Sequence, residues 1–369
     1  MREFLHEVYP AGNPNMNNLL LEFAGVPVKI AALMDIQSIP KVELHCHLEG
    51  CFRPASVMAL GRDLGLAVPQ DPEQFRNEWM ITQPLATLQE ALQCFVNIQS
   101  IWCDERAIER LTREAVEDAE AQGIKILELR YSPDFIRNGH AHLNFEKIHG
   151  AILRGLADVD DSRIAVGLIG IVQKTLAIRD AAYTTDFIIE NRDSFVALDF
   201  ADQDTHHLEA YRPLVDRARA AGLRLTTHAG EEKSPDAPRH VRDAIDILGT
   251  ERVGHGIHII DDQDIMDIVI DKAVPLEVCP TSNWLTNAVP STAAHPVRRL
   301  LDAGVPLTIN SDDPGLFGID LCHEYTLLHR EHGFDAEEFD ACNDLAASHS
   351  FIPLEKKQKV WPRPIKEKA

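Results

Sequence analysis

The chain has 369 residues, of which 45% are hydrophobic and 25% are charged, the composition of a globular protein with ample core. Asp and Glu outnumber Lys and Arg by 58 to 36, and the formal net charge of -22 argues against a nucleic-acid partner, whose backbone is also negative. The seven cysteines include no C-x-x-C pair, which favours thiols in a reducing cytoplasm over a disulfide framework.

Residues 1–39 carry little signal. They hold no cationic patch followed by an apolar run, and no apolar run in the chain approaches the roughly 20 residues that span a bilayer. We therefore expect a cytoplasmic protein with neither a signal peptide nor a membrane partner. Residues 19–34 have an apolar pattern, broken by Gly25 and Pro27, that permits a short helix. We treat 1–39 as an N-terminal extension of unknown role, ahead of a single domain at 40–360.

Residues 41–50 (KVELHCHLEG) predict a strand, because apolar residues alternate along them and Gly50 ends the run. His45 and His47 are two positions apart, so on a strand they point to the same face. Two imidazoles on one face form half of a metal site. With 17 His in the chain, about one H-x-H pair is expected by chance, so the pair alone is weak evidence for a metal site. The prediction depends on further candidate ligands later in the chain.

The next stretch is rich in helical sequence. The apolar spacing predicts helices at 54–64, 85–102 and 105–122, with a loop at 69–84. Beyond them strands and helices alternate regularly. The further predicted strands are 124–131, 165–172, 195–201, 223–228, 253–257, 275–279 and 306–310. The predicted helices among them are 143–158, 180–191, 207–221, 238–248, 265–270 and 296–303.

Eight strands, each followed by helical sequence, predict an α/β fold of the (β/α)8 TIM-barrel type, with a helical insertion after the first strand. Several strands are nearly continuous apolar runs, as parallel strands covered on both faces should be. A doubly wound open sheet is the alternative. The chain has no G-x-G-x-x-G after an early strand and no G-x-x-x-x-G-K-[ST], so the nucleotide-cradling forms of that sheet are not supported.

Chemically suggestive residues gather where the predicted strands end, and in a barrel these ends surround one mouth. The ends of the first, fifth, sixth and eighth strands supply His45, His47, His228, Glu231, His255, Asp312 and Asp313. Three His and one Asp form a suitable ligand set for a divalent transition metal with a position left for water. Taken singly, each motif also fits a core residue or a turn. Other polar groups are predicted to lie on the surface, namely His206, His207, His240, Asp261, Asp262 and residues 335–338.

Glu231 lies three residues after His228, in a turn just beyond the strand. With the histidine directed at the metal, a nearby carboxyl can face the substrate. Such a carboxyl is suited to general acid–base work if a dry pocket raises its pKa. A neighbouring base such as His255 would help to keep the nucleophile deprotonated.

These motifs resemble the adenosine deaminase family of zinc aminohydrolases, most closely its bacterial branch, over residues 36–350. The matching motifs are KVELHCHLEG at 41–50, ELRYSP at 128–133, HAGE at 228–231, RVGHG at 252–256, CPTSN at 279–283 and NSDDP at 310–314. The resemblance implies one Zn²⁺ per chain, held by His45, His47, His228 and Asp312. It also implies that Glu231 donates a proton to purine N1 and that His255 orients the attacking water and helps to deprotonate it.

The resemblance further implies substrate contacts from His47, Glu49, Asp202 and Asp313, with Asp313 bonded to purine N7. Two of these positions depart from the family pattern. Glu49 stands where members that act on adenosine usually carry Asp, and HLEG also resembles the adenine deaminase branch. Asp202 stands where the family usually has a Gly that offers its N–H to purine N3. These departures predict an altered pocket, with a changed sugar substituent or weaker activity on adenosine.

The leading hypothesis is hydrolytic deamination of adenosine, and of 2′-deoxyadenosine, to inosine with release of ammonia. The substrate is then a small purine nucleoside, with water as co-substrate. A second hypothesis is deamination of free adenine or of a modified adenine nucleoside. A third is a different metal hydrolase on the same barrel, which would cleave its substrate without releasing ammonia from an intact skeleton. A fourth is a binding protein on an inactive barrel, which the full set of proposed ligands disfavours.

Overall fold

The computed structural model describes the backbone of residues 20–23, 26–29, 34–85, 88–204 and 207–366. The chain divides into two compact units, Met1–Ser38 and Ile39–Ala369. In the first unit, Leu20–Phe23 pairs antiparallel with Val26–Lys29. The short helix predicted within residues 19–34 is therefore wrong. Proline lacks an N–H and disfavours a helical residue before it, so Pro27 is better accommodated in this extended segment.

The second unit is built around eight parallel strands, which we number in chain order. They are β1 (Lys41–His47), β2 (Ile124–Tyr131), β3 (Ala165–Gln173), β4 (Phe195–Ala201), β5 (Arg224–Ala229), β6 (Arg252–His255), β7 (Leu276–Val278) and β8 (Leu307–Ile309). Each strand pairs with the next one along the chain. The predicted barrel is confirmed, and the predicted strand boundaries hold to within a few residues.

The barrel closes between β1 and the end of β8 through a seam that differs from the other strand pairs. Its two backbone hydrogen bonds run from His47 N to Asp312 O (2.8 Å) and from Asp312 N to His45 O (3.0 Å). Elsewhere along the seam, side chains replace backbone partners. The Asn310 side-chain oxygen accepts from Leu44 N at 3.0 Å. The seam thus brings the carboxyl end of β1 directly against Asp312.

The predicted helical insertion follows β1. Its helices are Pro54–Leu64, Pro72–Trp79, Leu88–Ile101 and Glu105–Ala121. The loop predicted at 69–84 is wrong over the second of these helices. The Asp71 side chain accepts hydrogen bonds from Glu73 N and Gln74 N, and Pro72 occupies the first turn, where its missing N–H costs nothing. The cap and the proline were local start signals that the weak apolar periodicity obscured.

Helices fill the crossovers between the later strands. They are Pro133–Arg137, Phe145–Leu156, Ile178–Glu190, Arg212–Ala220, Ala237–Asp243, Gln263–Asp271, Pro280–Leu285 and Val297–Asp302. A π-helical turn, Ala244–Leu248, continues the fifth of these.

Four helices follow β8, a region where the sequence analysis expected helical sequence but set no helix bounds. They are Pro314–Phe317, Leu321–His332, Ala336–His349 and Leu354–Val360. Ala346, Ala347 and Trp361 pack against Val42 and Leu44 in one apolar cluster, so this part of the chain covers the outside of β1. None of the helices that the structure describes is long and apolar enough to cross a bilayer.

Candidate active site

Four of the sequence-predicted metal ligands meet at the carboxyl ends of the strands. His45 and His47 end β1, His228 lies near the end of β5, and Asp312 follows β8. Candidate ligand atoms of the three histidines lie within 4.8 Å of one another. Asp312 Oδ1 is 3.3 Å from His45 Nε2 and 3.2 Å from His47 Nε2. Residues far apart in the sequence therefore form one cluster, as the strand-end argument predicts.

The chemistry of this cluster fits a divalent metal. His45 Nε2 is fully buried and makes no well-aligned hydrogen bond among the described residues, although it faces the Asp312 carboxylate. An orphaned imidazole nitrogen beside a carboxylate is costly without a cation and is the donor pair that Zn²⁺ accepts. Burial lowers the pKa of His45, and burial lowers the pKa of His228 to about 3, so both rings are neutral, the form that ligates.

Two carboxylates lie behind the histidines and orient them. Glu277 Oε2 is 2.8 Å from His45 Nδ1, and Asp199 Oδ2 is 3.0 Å from His228 Nδ1. Arg130 joins the two acids, since its guanidinium lies 2.7 Å from Asp199 and 2.8 Å from Glu277. A histidine that donates its far N–H to a carboxylate has a fixed ring orientation and a more basic ligand nitrogen.

The ion cluster continues into the barrel interior through Arg252, whose guanidinium lies 2.6 Å from both Glu277 and Glu128. Arg130 and the other four charged members, from β2, β4, β6 and β7, are fully buried. Sequence reasoning assigned no role to these residues. The signal that could have found them is a charged residue inside an otherwise apolar strand, as at Glu277 in Leu276–Val278.

Glu231 lies above the cluster, as predicted. Its Oε2 is 3.5 Å from His255 Nε2, and its Oε1 accepts from the Thr286 hydroxyl at 3.3 Å. Burial, with the charge of Asp312, raises the pKa of Glu231 to about 7. A carboxyl with this pKa can hold a proton near neutrality and deliver it, as a general acid must.

Asp313 is a second carboxyl with a raised pKa at the site. Burial, together with the adjacent charge of Asp312, raises its pKa to about 8. The carboxyl lies against Gly50, where any Cβ would overlap it, so the glycine that ends the predicted β1 motif makes room for Asp313. In its protonated form Asp313 can donate a hydrogen bond, which a carboxylate cannot.

His255 ends β6 and faces the same space. Its Nε2 lies 3.9 Å from Asp312 Oδ2, and burial lowers the pKa of the ring. The residue has φ of 60°, a left-handed conformation that is uncommon outside glycine. This conformation turns the ring towards Asp312 and Glu231, so all the sequence-predicted catalytic and metal residues come together.

The two positions predicted to depart from the family pattern also line the site. Glu49 Oε1 accepts from Ser132 N at 2.7 Å, whereas its buried Oε2 has no hydrogen-bond partner among the described residues. Asp202 has φ of 86°, a backbone conformation that favours glycine. Its carboxylate accepts from the Thr175 hydroxyl and from Gln173 Nε2, the latter at 3.4 Å. Its other oxygen accepts from Gln203 N at 3.0 Å, so three neutral donors hold the Asp202 charge.

A single cavity of about 800 Å³ connects these residues, a size typical of small-molecule sites. His47, Glu49, Asp202, His228, Glu231, His255, Asp312 and Asp313 all line it. Much of the remaining wall is apolar, from residues such as Ile98, Phe135, Ile171 and Leu316. Within the part of the chain that the structure describes, no Lys or Arg lines the cavity.

A buried polar cluster supports the turn that carries Glu231. Lys174 Nζ donates to His228 O at 2.8 Å, and Asp204 Oδ2 accepts from Gly230 N at 3.1 Å. His240 Nδ1 lies 3.1 Å from the same Asp204 oxygen. The predicted surface location of His240 is therefore wrong, because this histidine is 6% exposed and paired with a buried acid. His207 is exposed as predicted, and His206 lies outside the described residues.

Comparison with known proteins gives a consistent picture. A family model described as adenosine deaminase matches residues 40–366. An adenosine deaminase of Plasmodium knowlesi is 33% identical over 325 residues, covering 87% of this chain and 89% of that protein. An adenine deaminase from Arthrobacter aurescens superposes with a TM-score of 0.77 at 27% identity, over 86% of this chain and 96% of the other. The N6-methyl-AMP deaminase of Arabidopsis thaliana superposes with a TM-score of 0.74 at 27% identity, over 88% and 95% of the two chains.

Proposed function

This chain belongs to the adenosine deaminase family of hydrolases that act on C–N bonds, and from that premise we propose that it deaminates adenosine and 2′-deoxyadenosine to inosine products, with release of ammonia. The observation that carries the proposal is the placement of the Glu231 carboxyl beside His255 and above the His45, His47, His228 and Asp312 cluster. A proton donor, a water-orienting ring and a metal-ligand set then face one cavity.

The proposed cofactor is one Zn²⁺ per chain, held by His45, His47, His228 and Asp312. The ligand types also suit other divalent transition metals, so zinc is part of the proposal. When bound, zinc can lower the pKa of water from about 15.7 to about 7 in favourable protein sites. The chain itself supplies the carboxylate and imidazole donors and excludes bulk water by burial.

We assign proton donation, substrate binding and orientation of the water to side chains of the chain itself. Glu231, with its pKa raised to about 7, donates a proton to purine N1, which makes C6 more electrophilic. Asp313, with its pKa raised to about 8, is protonated near neutrality and donates a hydrogen bond to purine N7. His255 orients the attacking water through Nε2. His47 and Glu49 contact the substrate beside them, with Glu49 close to the sugar.

The electrostatics of the cavity favour a nucleoside or base over a nucleotide. Five carboxyl groups line the cavity, and the described lining contains no Lys or Arg to receive a phosphate. A phosphate dianion would find no cationic side chain there and would lose hydration without gaining a countercharge. The Arabidopsis protein is named for a nucleotide substrate, N6-methyl-AMP, so we propose that the present chain differs from it at the sugar end of the cavity.

A second candidate is deamination of free adenine or of a modified adenine nucleoside. Two observations favour it, namely the carboxylates of Glu49 and Asp202 in the region proposed for ribose, and the similarity to the adenine deaminase from Arthrobacter. We also propose a cytoplasmic location. The seven cysteines, all within the described residues, form no disulfide, as is usual for proteins in a reducing compartment.

The test is ammonia release by the zinc-loaded protein from adenosine, 2′-deoxyadenosine, adenine and AMP in parallel. We expect release from the two nucleosides and none from AMP. Glu231→Gln keeps the shape of the side chain but cannot supply the proton, so it should lower kcat about 10²- to 10⁴-fold while zinc content stays at one per chain. Release of ammonia from adenine alone would favour the second candidate. No release from any of the four substrates would refute the proposal.

Restoring glycine at the altered position tests the role of Asp202. Asp202→Gly removes the carboxylate and suits the left-handed backbone at φ of 86°, so adenosine turnover should rise. Ala273→Gly is the matched control, because Ala273 also has a positive φ of 47° but does not line the cavity. Steady-state kinetics of both variants measure the effect. An unchanged adenosine turnover in Asp202→Gly would contradict the altered-pocket interpretation.

A further inference from the structure

The histidines at the site differ in what their far ring nitrogens contact. His45 Nδ1 lies 2.8 Å from Glu277, and His228 Nδ1 lies 3.0 Å from Asp199. An ionised carboxylate can only accept, so each of these rings carries its proton on Nδ1. Each therefore presents a bare Nε2 to the site, which is what a metal ligand requires.

His255 has a different partner. Its Nδ1 lies 3.1 Å from the side-chain amide nitrogen of Asn283, a residue of the CPTSN motif. An amide can turn either its oxygen or its NH2 group to a neighbour, so this contact alone does not fix the proton on the His255 ring. The contacts on the other side of Asn283 decide its orientation.

Those contacts form a relay that starts at a backbone amide. Val297 N, at the start of the helix Val297–Asp302, donates to His295 Nδ1 at 3.1 Å. His295 Nε2 in turn lies 3.1 Å from Asn283 Oδ1. Asn283, His255 and His295 are all buried, with exposures of 0%, 1% and 4%.

Only one arrangement of protons satisfies every contact in the relay. A backbone N–H can only donate, so His295 Nδ1 is bare and the neutral ring has its proton on Nε2. That proton is donated to Asn283 Oδ1, which turns the Asn283 NH2 group to His255 Nδ1. His255 Nδ1 therefore accepts, and the neutral ring carries its proton on Nε2. Burial lowers the pKa of His295 to about 3, which keeps this ring neutral.

We infer that Asn283 and His295 are positioning residues that hold neutral His255 in the Nε2–H form, the opposite of His45 and His228. An N–H directed at the site cannot coordinate a metal. The geometric grouping of His45, His255 and Asp312 is thereby excluded as a ligand set, although its atoms lie within 4.8 Å of one another. The relay assigns a different role to each of two buried imidazoles whose ring centroids are 4.8 Å apart.

The catalytic consequence rests on the proposed function. With its proton on Nε2, neutral His255 donates a hydrogen bond to the oxygen of the attacking water and does not accept the proton of that water. This revises the sequence-based expectation that His255 helps to deprotonate the water. Orientation of the nucleophile, and not proton removal, is the work of His255.

The direct test is nitrogen-15 NMR of the zinc-loaded full chain with labelled histidine, since protonated and bare ring nitrogens resonate far apart. A spectrum of His255→Gln assigns the His255 signals by difference. We expect a protonated Nε2 and a bare Nδ1 on His255. A protonated Nδ1 on neutral His255 would overturn the inference whether or not the protein releases ammonia, so this readout is independent of the proposed function.

Asn283→Asp reverses the relay with little change of shape. A carboxylate accepts from both neighbouring rings, so the His255 proton should move to Nδ1, and kcat should fall about 10²-fold with a much smaller change in KM. Asn343→Asp is the matched control, because Asn343 is 1% exposed and accepts from Val42 N at 2.9 Å, away from His255. It should leave the His255 signals unchanged. Unchanged His255 signals in folded Asn283→Asp would refute the relay.

A pair of variants at His295 gives an independent check if Asn283→Asp does not fold. Gln at this position can accept from Val297 N and donate to Asn283 Oδ1, so His295→Gln should keep the Nε2–H form. His295→Leu can do neither, and the His255 signals should then show both forms of the ring. Equal signals in the two variants would contradict the assigned role of His295.

Discussion

Replacing Glu277 by Gln tests whether the buried carboxylate behind His45 organises the site. Four donors converge on Glu277. Its Oε2 accepts from His45 Nδ1 and Arg130 Nη2, both at 2.8 Å, and its Oε1 accepts from Arg252 Nε at 2.6 Å and Thr226 Oγ1 at 3.0 Å. The two arginines hold the pKa of Glu277 well below its usual range despite burial, so the group is ionised at pH 7.

Glutamine offers one oxygen and one NH2 group in place of two oxygens. Whichever way the amide turns, its NH2 group faces an N–H of Arg130 or of Arg252, so at least one buried arginine N–H loses its acceptor. At about 1–3 kcal/mol for an unpaired buried group, Glu277→Gln should lower the free energy of unfolding by at least about 1–3 kcal/mol. Loss of the histidine partner should also weaken zinc binding about 10- to 100-fold.

Urea unfolding of the metal-free protein at pH 7 measures the first effect, and competition with a chelator measures the second. Thr226→Val is the matched control, because it removes one of the four donors and keeps the carboxylate; it should cost about 1 kcal/mol. A Glu277→Gln protein within 1 kcal/mol of wild type and with unchanged zinc affinity would refute this account of the cluster.

Two further predictions concern residues away from the metal ligands. Burial raises the pKa of Glu324 from 4.5 to about 8, so its contribution to stability is full below pH 4.5 and falls by up to about 1.36 kcal/mol per pH unit as pH rises towards 8. Glu324→Gln still accepts from Thr281 N, so its unfolding free energy should change less between pH 5.5 and pH 8 in urea titrations, and an unchanged slope would contradict the assignment. Asp204→Ala removes the acceptor of Gly230 N and should lower kcat about 10- to 100-fold through misplacement of Glu231, with KM within about twofold; equal changes in both constants would argue for a general loss of structure.

Much of the fold was readable from the sequence because β/α alternation leaves a strong pattern. Parallel strands covered on both faces appear as short apolar runs, and β2 and β4 begin and end at the predicted residues. The failures have two physical causes. Pro72–Trp79 is a helix set by its Asp71 cap rather than by apolar periodicity, and the pairing of Leu20–Phe23 depends on a partner segment that local pattern does not reveal.

The residues of the site also divide into those that the sequence analysis predicted and those that it did not. The proposed metal ligands and Glu231 lie at or just beyond strand ends, where topology alone brings distant residues together. The supporting residues could not be placed by that rule, since Arg130, Asn283 and His240 act through side chains that reach across several strands or loops. Their identity depends on three-dimensional contacts, and a charged or amide side chain in the sequence does not say which buried group it will satisfy.

The seam between β1 and β8 has a thermodynamic consequence. Opening it separates His45 and His47 on one side from Asp312 on the other, and two backbone hydrogen bonds resist that motion. Metal occupancy and closure of the barrel are thus linked equilibria: a ligand at 1,000 times its Kd stabilises the state that binds it by about 4.1 kcal/mol. Hydrogen exchange at the amides of His47 and Asp312 should slow on addition of the cation, because local opening must then break the coordination as well as the seam. A cation held by the proposed ligands would therefore stabilise the junction where the last strand meets the first.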